Sequence, residues 1–557
     1  MFRSLMVTAL AALSSTALAQ PAPPPPPAAT ARPAFPAKPP TLIVAISVDQ
    51  FSANLFAEYR AVFDGGFRRM EQGAVFPSGY QTHAATETCP GHSTILTGSH
   101  PSRTGIIANN WVDQSARRAD KMIYCAEDET LPGSDSGNYT ASNVHLLVPT
   151  LGERMKAANP ATRVVSVAGK DRAAIMMGGH KVDQLWYWDA RAKDYIAPAG
   201  QKADPVVAQV RAAVAAAIAR PRDAMPLPAP CAPKAAAVKV GDFTVGDGRF
   251  ARKAGDYSAF RYSPEFDAAT LTLAEALIES MKLGKGDATD IISIGLSATD
   301  YVGHAYGTEG SEMCLQLTTL DSDLGAFFDR LDATGVDYVV VLTADHGGLD
   351  LPERNREHAA PDAARAEARL LPANVGKAIG QTLGVAGPVL LGDGPFGDIY
   401  IDKAIIGDQR KRVLDAAVAA YRADPQVAAV FTAEEIAAGK PPVGHPEIWT
   451  LLDRARGSYK AGRSGDFVVM LKPFVTPIVT PRVGGTATHG SVWDYDRRFP
   501  IAFWRKGMTG FEQPAPVETV DILPTLAALI GLPVPASEID GRCLDLDAGP
   551  GSTCPAQ

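Results

Sequence analysis

The sequence lacks a surplus of positive charge, and this limits the classes of molecule that the protein can bind. Its 557 residues carry 53 Lys and Arg against 61 Asp and Glu, giving a net charge of −8 and a pI near 5.7. Nucleic acids and anionic membrane surfaces are bound chiefly through clustered positive charge. We therefore expect no binding to nucleic-acid duplexes, and any anionic substrate must be attracted by a few placed cations or by metal ions.

Closely spaced cysteines and long apolar runs are also scarce. None of the six cysteines forms a Cys-x-x-Cys pair, so a thiolate zinc site has no support. After the N-terminal segment, no stretch is apolar over the roughly 20 residues that a membrane-spanning helix needs. An even number of cysteines permits disulfides, and we expect a Cys543–Cys554 pair because both residues lie near the C-terminus and close a short loop.

The N-terminus carries a targeting signal. Arg3 precedes the mostly apolar run Leu5–Leu18, which ends in an Ala-Leu-Ala pattern typical of a cleavage site. We expect residues 1–19 to be a signal peptide that is cleaved after Ala19, and the mature protein to be periplasmic or secreted. Residues 20–40 follow as a Pro/Ala-rich linker, an extended segment with nothing to bury.

Short apolar runs rich in β-branched residues predict four buried parallel strands, each followed by a polar, glycine-containing loop. These runs are Thr41–Val48, Thr162–Ala168, Asp290–Leu296 and Val336–Thr343. Helical patterns lie between them, at Phe266–Met281 and Glu312–Leu331 for example. Strands alternating with helices predict an α/β fold with a doubly wound, mainly parallel sheet flanked by helices.

We assign residues 41–557 to one catalytic domain with two insertions. The first, at about 190–262, contains low-complexity Ala/Pro-rich sequence. The second, at about 351–480, carries extra strands and a helix near Gln409–Arg422. Because ligands bind at the carboxyl ends of strands in open α/β sheets, we expect both insertions to act as caps over that edge.

Acidic residues and histidines follow the predicted strands and glycine-containing loops. The candidate metal ligands are Asp49, Asp300, His304, Asp345, His346 and His489. Each alone is more readily explained as an ordinary polar residue, but six at strand ends or glycine-containing loops indicate a site. Nitrogen and oxygen donors without thiolates suit Zn²⁺ better than Mn²⁺ or Co²⁺. Two metals about 4 Å apart would clamp the attacking and leaving oxygens of an in-line displacement.

Thr88 is the candidate nucleophile. It stands two residues before Pro90, where we expect a helix to begin, so its hydroxyl lies near backbone N–H groups that favour negative charge. A metal-bound hydroxyl in that position can ionise at neutral to alkaline pH. Taken alone, Thr88 is equally well explained as a structural N-cap, and Thr86 is a rival nucleophile farther from the helix start.

As a set, these residues resemble the alkaline phosphatase superfamily. The matching motifs are Asp49, Thr88-x-Pro90-Gly91-His92, Asp300-x-x-x-His304, Asp345-His346 and His489-Gly490. They are most similar to the branch with a threonine nucleophile, which includes nucleotide pyrophosphatase/phosphodiesterases and PafA-like alkaline phosphatases. The resemblance spans most of residues 41–540. Cys89 directly before Pro90 does not fit the Cys-x-Pro-x-Arg motif of the related sulfatases.

The resemblance implies a mechanism and a cofactor, two Zn²⁺ ions per chain. Thr88 would attack phosphorus to form a phosphothreonine, and water would then release phosphate. Asn109 matches the asparagine that contacts the substrate oxyanion in this family, with Asn110 as the alternative. The implied ligands are Asp49, Thr88, Asp345 and His346 for one zinc ion, and Asp300, His304 and His489 for the other.

Lys170 and Arg172 bear on the choice between monoesters and diesters. Their segment resembles the Lys-x-Arg element of the PafA-like monoesterases. A monoester carries nearly two negative charges above its second pKa of about 6, whereas a diester carries one. Two cations after a predicted strand therefore suit a monoester better than a diester. We expect small phosphate monoesters as substrates.

Two alternative functions remain. One is a phosphodiesterase of the same superfamily, and the other, from another class, is a non-catalytic exported metal- or phosphate-binding protein. The sequence does not indicate the oligomeric state.

Overall fold

The computed structural model describes residues 35–246, 248–358, 360–440, 442 and 444–555. The predicted signal peptide and residues 20–34 of the predicted linker lie outside these residues. No helix in the described ranges is long and apolar enough to cross a membrane.

The strands of the described residues form one large sheet and several small ones. In chain order they are β1 (Leu42–Val48), β2 (Ala74–Tyr80), β3 (Asn110–Val112), β4 (Met122–Tyr124), β5 (Val164–Ala168), β6 (Gln184–Asp189), β7 (Asp194–Ile196), β8 (Val238–Val240), β9 (Phe243–Val245), β10 (Asp290–Leu296), β11 (Tyr338–Thr343), β12 (Ala364–Arg365), β13 (Leu390–Leu391), β14 (Gly397–Ile401), β15 (Val427–Thr432), β16 (Phe467–Leu471), β17 (Val475–Thr476), β18 (Arg498–Arg505), β19 (Phe511–Glu512) and β20 (Val517–Glu518).

The α-helices of the same residues mostly connect these strands. They are α1 (Ala53–Tyr59), α2 (Gly66–Met70), α3 (Thr88–Ile95), α4 (Pro101–Thr104), α5 (Leu151–Ala158), α6 (Asp171–Gly178), α7 (Val206–Ile218), α8 (Tyr257–Arg261), α9 (Glu265–Ser280), α10 (Ala298–Tyr306), α11 (Ser311–Thr334), α12 (Pro352–His358), α13 (Pro372–Leu383), α14 (Gly407–Arg422), α15 (Ala433–Ala437), α16 (Leu451–Ser458), α17 (Asp494–Arg497) and α18 (Ile522–Leu529).

The large sheet has the strand order β19-β2-β18-β11-β1-β10-β5-β6-β7, with β20 beside β2. Strands β11, β1, β10, β5 and β6 pair in parallel, whereas β18 and β7 run antiparallel to their neighbours. The predicted doubly wound, mainly parallel sheet is confirmed. The four strands predicted from apolar runs end at the predicted residues and begin within two residues of the predicted starts.

Strand β1 shows why the sheet is covered by helices on both faces. Every residue of β1 is buried. Because successive side chains of a strand point to opposite faces, Leu42, Val44 and Ile46 join one hydrophobic cluster, whereas Ile43 and Ala45 join another. Helices such as α9 and α11 contribute to the first cluster, and α5 and α18 to the second. A strand buried on both sides therefore reads as a continuous apolar run.

The sheet topology gathers the candidate residues at one edge. Asp345, Asp49, Asp300 and Lys170 follow β11, β1, β10 and β5, which are adjacent parallel strands in that order. Strand β2 runs in the same direction, because it pairs antiparallel with β18 and β18 pairs antiparallel with β11. Helix α3 follows β2 and so begins at the same edge.

A second, four-stranded sheet has the order β13-β14-β16-β15 and is named the cap sheet here. It packs with α13 and α14 around its own hydrophobic cluster. All of its strands come from the segment predicted as the second insertion.

Disulfides join three pairs of cysteines: Cys89–Cys125, Cys231–Cys314 and Cys543–Cys554. The expected C-terminal pair is confirmed.

Candidate active site

The predicted ligand side chains meet at the carboxyl edge of the large sheet. Asp49, Asp345 and His346 each place one donor atom within 4.8 Å of the others, and so do Asp300, His346 and His489. His304 Nε2 lies 3.2 Å from Asp300 Oδ1. The structure thus brings the six predicted carboxylates and imidazoles together, and His346 contacts both groups.

The three imidazoles share one orientation. In each, Nδ1 faces a backbone carbonyl oxygen, which can only accept, so Nδ1 carries the proton and Nε2 is left as an acceptor toward the site. The partners are Ala487 O at 2.8 Å for His304, Gly347 O at 2.8 Å for His346, and Thr86 O at 2.9 Å for His489. This arrangement is typical of histidines that bind metals through Nε2.

Unpaired acceptors show that the site fits a divalent metal. Asp49 Oδ1 and His346 Nε2 are buried, lie 3.3 Å apart and make no hydrogen bond within the described residues. Two acceptors facing each other in a buried site are unfavourable unless a proton or a cation lies between them. Carboxylate oxygens and imidazole nitrogens are suitable zinc ligands.

Burial shifts the ionisation of these groups. It lowers the pKa of His346 to about 3 and lowers the pKa of His489, which keeps both imidazoles in the neutral form that binds metal. Burial, with the neighbouring charge of Asp345, raises the pKa of Asp49 well above its usual range. Adding positive charge would favour the ionised form of Asp49 and so couples metal binding to proton release.

Thr88 is the first residue of α3, and Glu87 is its N-cap. The prediction that this helix begins at Pro90 is wrong by two residues, because proline needs no N–H partner in a first turn and is tolerated there. Thr88 is fully buried, and its Oγ1 lies 3.4 Å from Lys170 Nζ and 3.4 Å from Arg172 Nη2. The hydroxyl therefore sits at a helix N-terminus between two cations.

The rival Thr86 is engaged elsewhere. Its hydroxyl donates to the backbone oxygen of Ser491 at 2.7 Å. His92, on α3, has Nδ1 2.9 Å from Thr88 O and 3.0 Å from Asp345 Oδ2. It thereby links the start of the helix to a candidate ligand.

Lys170 is buried between two of the carboxylates. Its Nζ lies 2.6 Å from Asp49 Oδ2 and 2.5 Å from Asp300 Oδ2. Burial alone would lower the pKa of Lys170, but the charges of Asp300 and Asp49 outweigh it and hold the pKa above its usual value. Lys170 is therefore a permanent cation, shared between the ligand carboxylates and Thr88.

Arg172 is held by a tyrosine that is itself bound to Asp171, and not by the ligand carboxylates that hold Lys170. Its Nη1 donates to Tyr124 Oη at 3.3 Å, and Tyr124 Oη donates to Asp171 Oδ1 at 2.8 Å. Tyr139 Oη donates to the other Asp171 oxygen at 2.8 Å. Sequence reasoning missed this support, because Tyr124 and Tyr139 lie far from Arg172 in the chain and carry no motif.

Asn109 adjoins the nucleophile, and Asn110 does not. Asn109 Oδ1 accepts from the backbone N–H of Cys89 at 2.8 Å. Asn110 Nδ2 instead donates to Asp393 Oδ2 at 3.0 Å. The side-chain amide of Asn109 is thus fixed beside the first turn of α3.

Gln50 is a second residue that sequence reasoning missed. It is buried with a φ of 67°, the left-handed region that a residue with a Cβ rarely adopts. Its side chain donates to Asp300 Oδ1 at 2.8 Å, and its backbone N–H donates to Asp345 Oδ1 at 3.2 Å. Its position directly after Asp49 was the only available signal.

Two cavities flank Arg172 and His304. The first, the apolar cavity, has a volume of about 360 Å³ and reaches to the cap sheet. Its lining includes Phe396, Tyr400, Val468, Met470, Asn109 and the acids Glu87, Asp393 and Asp398. The second, the arginine cavity, has a volume of about 410 Å³ and extends from Asp300 and His304 to Arg482.

The chain is similar to known phosphodiesterases and alkaline phosphatases. The family model for type I phosphodiesterases and nucleotide pyrophosphatases matches residues 43–491. The chain is 61% identical over 524 residues to alkaline phosphatase PhoK of a Sphingomonas species, covering 94% of each chain. It is 49% identical over 520 residues to alkaline phosphatase PhoD of Zymomonas mobilis subsp. mobilis, covering 93% of this chain and 90% of that one.

A solved structure shares the fold. The crystal structure of alkaline phosphatase PafA matches with a TM-score of 0.78 at 24% identity, over 90% of this chain and 98% of that chain. Membership of an enzyme family also sets aside the non-catalytic binding protein. The chain belongs to the type I phosphodiesterase/nucleotide pyrophosphatase family and, within it, to the alkaline phosphatases.

Proposed function

We propose that this chain hydrolyses phosphate monoesters by transferring the phosphoryl group first to Thr88 and then to water. The observation that carries the proposal is the position of Thr88 Oγ1, 3.4 Å from both Lys170 Nζ and Arg172 Nη2 at the start of α3. Two cations beside one hydroxyl complement the two charges of a bound monoester. The relatives named as alkaline phosphatases support the same activity.

The bond changes follow from these positions. Thr88 Oγ loses its proton to solvent and forms a bond to phosphorus, while the ester P–O bond breaks and the leaving oxygen departs with the electron pair and takes up a proton from solvent. Water then attacks phosphorus, and phosphate departs as the Thr88 hydroxyl is restored. The helix N-terminus and the two cations stabilise the ionised hydroxyl, and the cations and the Asn109 amide stabilise the phosphoryl oxygens as charge develops.

We propose two Zn²⁺ ions as the cofactor. Their ligands would be Asp49, Thr88, Asp345 and His346 for one ion, and Asp300, His304 and His489 for the other. When bound, the ions supply positive charge that lowers the pKa of a coordinated hydroxyl and neutralises a leaving oxygen. The three imidazoles, whose Nδ1 atoms face backbone carbonyls and whose Nε2 atoms face the ligand carboxylates, support this assignment.

Export is part of the proposal. The disulfides of the described residues are typical of oxidising compartments outside the cytosol. In this account residues 1–19 direct export, 20–40 form a linker, and 41–557 form the catalytic domain. The segments at about 190–262 and 351–480 act as its caps.

A phosphodiesterase is the second candidate. The description of the matching family favours it, and the apolar cavity beside Asn109 could hold the second ester group of a diester. Monoesters are favoured over diesters because Lys170 and Arg172 together offer one more charge than a diester balances.

The test uses the purified full chain. Its kcat/KM is measured on phenyl phosphate and on methyl phenyl phosphate, before chelation, after exhaustive EDTA treatment and after Zn²⁺ is restored. We expect a clear preference for phenyl phosphate, loss on chelation and recovery with Zn²⁺. Equal rates or a preference for the diester would overturn the monoester assignment, and full activity after chelation would overturn the metal assignment.

A further inference from the structure

The arginine cavity has a charge opposite to that of the apolar cavity on the other flank. Its lining contains Arg172 and Arg482 and the hydroxyls of Tyr262, Tyr301 and Thr480. Arg261 stands behind this lining, donating to Tyr301 Oη at 2.5 Å with its guanidinium 4.5 Å from the ring centroid. The cavity is therefore polar and surrounded by guanidinium groups.

The acidic group in this lining is already balanced. Asp300 Oδ2 pairs with Lys170 Nζ at 2.5 Å, and Asp300 Oδ1 accepts from Gln50 Nε2 at 2.8 Å. Arg482, by contrast, is exposed and forms no ion pair with any residue that the structure describes. An unpaired guanidinium in the wall of a cavity is available to an anion.

The loop that carries Arg482 is a short turn in which Arg482 N–H donates to Gly485 O at 3.1 Å and Gly485 N–H donates to Arg482 O at 2.9 Å. Gly484, at the tip, has a φ of 78° and lies so close to Tyr262 that an added Cβ would be 3.2 Å from its hydroxyl. This packing holds the loop against the cavity.

Arg172 connects the cavity with the reacting centre, since it contacts Thr88 Oγ1 at 3.4 Å and also lines the cavity. A substrate whose phosphoryl group lies at Thr88 could extend along this wall toward Arg482. Arg172 also lines the apolar cavity, but that cavity is a poorer match because carboxylates, those of Glu87, Asp393, Asp398 and Asp496, outnumber the guanidinium in its wall.

We propose that the arginine cavity is a subsite for a second phosphate group of the substrate, so that bisphosphates are hydrolysed in preference to esters with an uncharged leaving group. This inference rests on the proposed monoesterase activity. Thr88 Oγ bonds to one phosphorus and the ester P–O bond breaks. The leaving oxygen departs with the electron pair and takes up a proton from solvent, and the resulting alcohol still carries the second phosphate, which Arg482 holds.

The test compares kcat/KM for propane-1,3-diol bisphosphate and for propyl phosphate, which share a leaving-group chain. We expect the ratio of the two values to fall about fivefold in R482A, the scale of an exposed charge pair, and further in R482E. Both values are measured on the same sample, so their ratio does not depend on the fraction of the protein that is folded. The bisphosphate has two equivalent phosphates that can react, and this statistical advantage is the same in every variant. An unchanged ratio in both variants would overturn the proposal.

Lys506 provides the matched control. It is exposed, and it follows the end of β18 at the opposite edge of the sheet, beside the start of β11. K506E changes the net charge as much as R482E does and should leave the ratio unchanged. A fall in K506E equal to that in R482E would assign the effect to net charge and overturn the subsite.

A binding measurement separates this proposal from the proposed function. Titration of the zinc-loaded Thr88→Ala chain with both compounds reports affinity without turnover. If the wild-type chain hydrolyses neither compound, the proposed activity fails. The subsite is still supported if R482A abolishes tighter binding of the bisphosphate, and is overturned if R482A has no effect on it.

Discussion

The floor of the site and its walls come from different parts of the fold. The floor, comprising Asp49, Thr88, Lys170, Asp300 and Asp345, stands on strand ends and a helix start, and all five residues are buried. The walls are the residues that line the two cavities, and many of them come from the cap sheet and from loops such as the one that carries Arg482. In the proposed function, this difference assigns phosphoryl transfer to the floor and the choice of ester to the walls.

Replacing the nucleophile should have the largest effect, and on every substrate. We expect Thr88→Ala to lower kcat at least about 10³-fold, because it removes the hydroxyl that lies 3.4 Å from both cations. Thr86→Ala is the matched control, since its hydroxyl donates to Ser491 O. Steady-state kinetics on phenyl phosphate decides; equal losses in the two variants would refute the choice of Thr88.

The two cations of the floor should behave differently from each other. Lys170→Ala should slow the monoester most, but because Lys170 also touches Asp49 and Asp300 it should disturb the ligands and slow the diester as well, by about 10²-fold. Arg172 is tied to Tyr124 instead, so Arg172→Ala should slow the monoester much more than the diester. The kcat/KM values of phenyl phosphate and methyl phenyl phosphate give the comparison. A diester rate left unchanged by Lys170→Ala would contradict it.

A substitution of Gln50 tests whether the floor depends on a hydrogen bond that the sequence did not predict. Gln50→Gly removes the hydrogen bond to Asp300 Oδ1 but suits a φ of 67°. We expect zinc affinity, measured by competition with a chromogenic chelator, to fall about tenfold without loss of thermal stability. Unchanged zinc affinity would show that Asp300 needs no support from Gln50.

The apolar wall should give the smallest effect. Phe396 lines the apolar cavity, and we expect Phe396→Ala to lower kcat/KM for phenyl phosphate a few-fold while propyl phosphate is unaffected, if aryl groups pack there. Phe511→Ala is the control, because Phe511 packs against Phe76 in the outer strands of the sheet. Equal losses on both substrates would remove Phe396 from substrate selection.

The floor was predictable because its signals are local. Strands β1 and β10 read as continuous apolar runs, since parallel strands covered on both faces need no polar alternation. Asp49 follows β1 directly, Asp300 follows β10 after three residues, and the motif around Thr88 completes the set.

The supports and walls were not predictable, because they depend on contacts between distant residues. Gln50 meets Asp300 across 250 positions of the chain, and Tyr124 meets Arg172 across 48. The cysteines show the same limit. The C-terminal pair closes a separation of 11 residues, whereas Cys231–Cys314 spans 83 and depends on how α11 packs.

The most direct test of the account is to trap the covalent intermediate. The zinc-loaded chain is mixed with phenyl phosphate, quenched in acid and digested, and its peptides are analysed by mass spectrometry. The account predicts a phosphoryl group on Thr88 that is absent from Thr88→Ala. Hydrolysis that continues at full rate with no phosphoryl group on Thr88, or with one on Thr86, would contradict it.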